Sequence, residues 1–146
     1  MSSIASLYIV KISDLPAIVS AAGSQSAWET LQELGREPTE EYGWSGYVMM
    51  NVLDGLEAAD VDLASPRLHE EAVAINADLD YTILITTEAK ALLARLDPAA
   101  YEPTDLLDDL GLDDEESRYA MEDTLTLLTK TITALTDDEL LLLNIG

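Results

Sequence analysis

The stretch DDEESRYAMEDTLTLLTKTITALTDDELLLLNIG, residues 113–146, holds a long helix, an acidic turn and a strand in succession. Met121, Leu125, Leu128, Ile132 and Leu135 recur at steps of four, three, four and three, which puts them on one helical stripe over several turns. The spacing predicts a helix from Asp113 to about Leu135, the longest of the chain. Asp113, Asp114, Glu115 and Glu116 stand at its start, where the helix dipole favours negative charge. Thr136-Asp-Asp138 turns the chain, and Leu140 to Ile145 reads as an apolar strand.

Two other runs have the same apolar, β-favouring character, Ile4 to Ile12 and Tyr81 to Ile85. Helical signals fill the spaces between them. Asp14 and Pro16 open a short helix that Gly23 closes. Ser26 with Glu29 predicts a capping box, and the helix it starts carries Trp28, Leu31 and Leu34 on one side as far as Gly35. Arg36 to Gly43 reads as a loop, and Ser45 caps a helix running to about Gly55. Ser65-Pro66 begins a helix bearing Leu68, Ala72, Val73 and Ile75. Thr86 caps another, with Ala89, Leu92, Leu93 and Leu96 inward, stopped at Asp97-Pro98. Leu106 to Leu112 forms a short helical turn ended by Gly111. The expectation is one globular α/β (or α+β) domain, residues 1–146, with no internal repeat. It should have a small mixed sheet of about three or more strands and about five or six helices.

In the second half, Tyr81-Thr-Ile-Leu-Ile-Thr-Thr-Glu-Ala-Lys90 runs into Leu92-Leu93-Ala-Arg-Leu96. A long helix from Tyr119 to Leu135, an acidic turn and the strand from Leu140 follow. This order resembles the YfbM-like proteins, a bacterial family of unknown function. The opening strand and Trp44 ahead of a helix are similar too. The resemblance spans about two thirds of the chain and implies an α/β fold with no established chemistry to carry over.

Charge limits what the protein can meet. Twenty-nine acids face seven bases, for a net charge of −22. Such a surface repels nucleic acid and anionic membrane, so direct contact with either is not expected, and it attracts basic proteins or cations. General solubility or a salt-rich cytoplasm, a docking surface for a basic partner, and mimicry of DNA all account for it. The absence of cysteine excludes disulfides and thiolate metal sites. The opening residues lack a signal-peptide pattern, and no apolar run is long enough to span a membrane, so a cytoplasmic location is expected.

Chemistry-bearing motifs are few. His69 is the single histidine, which excludes HExxH, and a solvent-facing helical role suits it. The dense carboxylates do not follow EF-hand spacing, and neither a nucleophile elbow nor a phosphate loop is present. No cofactor is expected. Between Arg95 and Arg118 lie nine acids and no base, and between Arg36 and Arg67 seven acids and no base. Asp105, Asp108, Asp109, Asp113, Asp114, Glu115 and Glu116 are therefore candidate partner-binding residues. Tyr42, Trp44 and Tyr47, beside Met49 and Met50, form a second candidate surface, although a chain without Phe also needs aromatics for its core. The sequence reading is an acidic protein-binding module, of which an immunity or antitoxin-type inhibitor of a basic toxin is the most concrete form. A salt-adapted protein, a DNA mimic and an enzyme with an unrecognised carboxylate site remain alternatives.

Overall fold

A computed structural model describes residues 3–38, 41–107 and 110–146. Its three strands are β1 (Ala5–Lys11), β2 (Tyr81–Ile85) and β3 (Glu139–Ile145), in the spatial order β1-β3-β2. β3 is antiparallel to both neighbours, with Leu143 opposite Leu7 on one side and Ile83 on the other. The sheet is thus antiparallel throughout, not mixed, because β3 runs opposite to both outer strands, and the free edge of β1 carries a further antiparallel bridge between Ile9 and Arg36.

All seven residues of β3 are buried, since helices cover the sheet on both faces. The period of two sorts the side chains. Tyr8, Val10, Leu84, Leu140 and Leu142 meet α1 (Leu15–Ala22), α2 (Ala27–Leu34) and α4 (His69–Leu79). On the opposite face Leu7, Ile9, Ile85, Leu141 and Leu143 join a larger core with α3 (Gly46–Ala58), α5 (Pro103–Leu106) and α6 (Asp114–Ala134). Met121, Leu125, Leu128 and Ile132 of α6 are fully buried there, so the predicted stripe is its inward face.

Local chemistry corrects several expectations. Ser26 takes the N-cap position of α2 without a side-chain cap, because its hydroxyl donates to the Ala21 carbonyl at 3.2 Å. Leu34, at the end of that helix, is 38% exposed, and Val73 on α4 is 54% exposed, so neither belongs to the core. Thr87–Leu96 winds as a 3-10 helix, though Ala89 and Leu96 are buried as expected. The Thr86 hydroxyl points to Glu88 instead of capping it. A helical turn is found at Pro103–Leu106, where proline sits at the first helical position and Asp105 accepts from the Glu102 amide, whereas the turn expected over 106–112 falls partly on residues 108 and 109, outside the described residues. Glu139 and Asn144 are the polar residues of β3, one at its start and one near its end, and both are buried. The Asn144 amide donates to the carbonyls of Leu79 and Tyr81 and to the Thr82 hydroxyl, which ties the end of α4 to β2.

Two predictions arise from this packing. At Gly55 on α3, an added Cβ would sit 2.9 Å from Leu106 Cα and 3.1 Å from the Asp105 carbonyl oxygen, so the backbone of α5 blocks it. Gly55→Ala gains about 1 kcal/mol of helix propensity but loses more to the clash, for an expected net loss of about 1–2 kcal/mol in urea unfolding. A stabilised variant would show that α5 does not rest on α3.

The second concerns Glu139, whose carboxylate meets Arg36 at 2.6 Å. The Arg36 hydrogen bond holds its pKa below the ordinary glutamate value of 4.5, with hydrogen bonding from Thr136 adding to the effect against burial. A carboxyl whose folded pKa is depressed contributes stability that is present above the unfolded pKa and lost as pH falls through the folded value. The stability gap between wild type and Glu139→Gln should therefore be constant near neutrality and narrow below about pH 4. A gap independent of pH would remove the ion pair as its cause.

Candidate functional site

Much of the acidic run is occupied with building the backbone. Asp97 accepts from the Ala99 amide at 2.9 Å, Asp105 from the Glu102 amide at 2.9 Å, and Asp113 caps α6 by accepting from the Glu116 amide at 2.7 Å. These bonds satisfy amides that a helix start leaves without partners. Asp114, Glu115 and Glu116 fill the first turn of α6 with exposed side chains, as the dipole argument requires. Asp108 and Asp109 lie outside the described residues.

Packing of α5 against α6 brings Glu102 beside Asp114 and Glu115 at a cleft of about 580 Å³, into which Tyr119 also faces. Tyr119 is 52% exposed, and Arg118 reaches Glu102 only at 3.8 Å with both side chains in solvent. An exposed pair at that distance contributes little stability. This cleft therefore combines accessible carboxylates with an accessible phenol, and its one arginine is loosely held.

The aromatic candidates divide. Tyr42 and Trp44 stand together against α6, while Tyr47, 40% exposed on α3, is not part of the same cleft. Met49 is fully buried and Met50 packs against the core, so the expected adaptable methionine patch is interior. The Trp44 indole Nε1–H donates to Asp123 Oδ2 at 2.8 Å. Tyr42 Oη lies 2.8 Å from Thr124 Oγ1, and the Thr124 hydroxyl proton is committed to the Ala120 carbonyl at 2.7 Å. Tyr42 is hence the donor in that bond. Burial, against the Thr124 hydrogen bond and with help from Asp123, pushes its pKa up to about 12, so it stays neutral at physiological pH. The two bonds pin residues 42–44 along α6 and leave a cleft of about 560 Å³, with Glu41 and Trp44 on one wall and Asp123, Leu127 and Lys130 on the other.

The basic side chains are largely engaged within the fold. Arg36, Arg67 and Arg118 face Glu139, Glu88 and Glu102. Lys90 donates to the Leu135 carbonyl at 2.6 Å and Arg95 to the Ala59 carbonyl at 2.8 Å. The remaining carboxylates act as an unneutralised field. It registers at Tyr81, whose pKa is raised first by burial and then by Asp54, Glu57 and Asp62.

His69 is exposed at the start of α4. Among the described residues no group of three or more His, Asp or Glu side chains is placed to hold a metal ion, and no helix is long and apolar enough to cross a membrane. Comparison with protein families, curated proteins and solved structures finds no match. Asp123, Thr124 and Lys130 were not candidates from sequence. Only the fold places them beside aromatics some eighty residues earlier in the chain.

Proposed function

We propose that the chain is a cytoplasmic, acidic protein-binding module whose carboxylate surface docks a basic partner protein, in the manner of an immunity or antitoxin-type inhibitor covering a cationic toxin. The observation that carries this reading is the charge left over once the fold is assembled. Seven bases stand against twenty-nine acids, and three of the four arginines are already beside a carboxylate while the fourth and Lys90 hold backbone carbonyls. A field of one sign steers a partner of the opposite sign and speeds its association. The α5–α6 cleft forms one part of that surface, with Glu102, Asp114 and Glu115 around an accessible Tyr119. The resemblance to YfbM-like proteins brings no competing chemistry to this reading.

The test begins with capture from the source lysate at low and high salt, followed by kinetics with the stoichiometric partner. Replacing Asp114→Asn, Glu115→Gln and Glu116→Gln together leaves the Asp113 cap in place. It should slow association at low ionic strength by about tenfold and flatten its salt dependence, with dissociation changed less. Association kinetics equal to wild type would remove this face as the docking surface. Displacement of the partner by duplex DNA would instead favour mimicry of a nucleic acid.

A further inference from the structure

We infer that the cleft between Trp44 and α6 is an anchoring pocket for an arginine side chain of the partner, an inference that rests on the basic-partner reading and names its contact chemistry. Three observations support it. The indole of Trp44 forms part of the wall and is only partly buried, and its Nε1–H bond to Asp123 fixes the ring against α6. An immobilised indole face attracts a cation without losing rotamer freedom on binding. Asp123 and Glu41, both exposed, line the same cleft from its two sides. The indole bond uses one oxygen of Asp123, and a carboxylate has about four acceptor sites, so capacity remains for an incoming donor.

Arginine suits this arrangement better than lysine. A planar guanidinium stacks on an indole while its edge donates in parallel to a carboxylate, whereas a compact ammonium has no plane to stack and no paired donor edge. Leu127, at 5% exposure, supplies an apolar floor for the methylene stem. Lys130 also lines the cleft, with an interaction partner of its own. Seven residues beyond Asp123 on the helix, it stands about 10 Å away along the axis, so the carboxylate end is the end a cation enters. Asp123, Leu127 and Lys130 fall at steps of four and three, which is why one helix face serves the whole pocket.

The probe is N-acetyl-arginine amide, titrated into the isotopically labelled protein at low salt with the two indole N–H resonances as reporters. Trp28 is the internal control, because it packs edge-on against Tyr8 in the other core. The expected result is a saturable shift of the Trp44 signal with a millimolar midpoint, little change at Trp28, a weaker response to N-acetyl-lysine amide and none to N-acetyl-leucine amide. Asp123→Asn retains an acceptor for the indole but removes the charge, and should weaken binding about tenfold. Glu41→Gln should weaken it in the same direction and serves alone if Asp123→Asn disturbs the indole resonance of the free protein. Absence of a saturable Trp44 shift, an equal response to the leucine compound, or full binding by both variants would overturn the inference. If the pocket fails while a basic partner still associates with the acidic face in a salt-dependent way, the docking reading stands and only the arginine anchor is lost. Arginine binding with no protein partner at either salt would have the opposite meaning.

Discussion

Raising KCl from about 10 mM to 1 M is expected to lift the melting temperature by on the order of 10 °C, because the Debye length shrinks from about 30 Å to about 3 Å and self-repulsion is screened. The expectation follows from −22 charges on a 15.9 kDa chain most of whose bases are already engaged in the fold. Differential scanning calorimetry across a KCl series checks it, and ammonium sulfate separates screening from surface exclusion, which also stabilises. With KCl most of the gain should come at low concentration and then level off. A melting temperature insensitive to KCl would mean that the carboxylates are too dispersed to repel one another. The same experiment bears on function. A chain folded in 10 mM salt has its field available for a partner, whereas one that unfolds there needs a salt-rich solvent simply to persist.

The second large effect is expected in β3. Leu142 and Leu143 are adjacent, fully buried, and belong to different cores. Leu142 lies between Tyr8 and Leu84 in the register, and Leu143 between Leu7 and Ile83. Replacing either with alanine should cost about 2–5 kcal/mol from lost burial plus the cavity left behind. Against a typical stability of about 5–15 kcal/mol, the double variant should populate the unfolded state without denaturant. Urea midpoints at high KCl, where repulsion does not dominate, give the comparison. A cost below about 1 kcal/mol for Leu142→Ala alone would show that the layer of α1, α2 and α4 is loosely applied to the sheet.

The strands were legible because their apolar runs are uninterrupted, and α6 because its stripe is inseparable from a period of 3.6. The 3-10 winding at Thr87–Leu96 was not legible, since the spacing of Ala89, Leu92, Leu93 and Leu96 fits a period of 3.6. Ser26 and Glu29 have the spacing of a capping box, yet a nearby carbonyl, Ala21, competed successfully for the serine hydroxyl. The true cap at Glu102–Asp105 went unseen because it uses a carboxylate where the usual pattern has serine or threonine. For the candidate sites, composition indicated which residues to consider but not which of them meet. Asp105 and Asp113 proved to be caps, and Tyr47 and Met49 separated from Trp44. The partners of Trp44 and Tyr42 come from a helix distant in sequence, a relation that no local pattern encodes.

The position of β3 bears on how the protein is made. Residues leave the ribosome in chain order, so β1 and β2 emerge before β3, the strand that lies between them in the finished sheet. Until it arrives, two apolar segments wait with unsatisfied edges, a situation that ordinarily invites aggregation. A nascent chain so rich in carboxylates repels its neighbours on the polysome, so the same charge guards the unfinished fold.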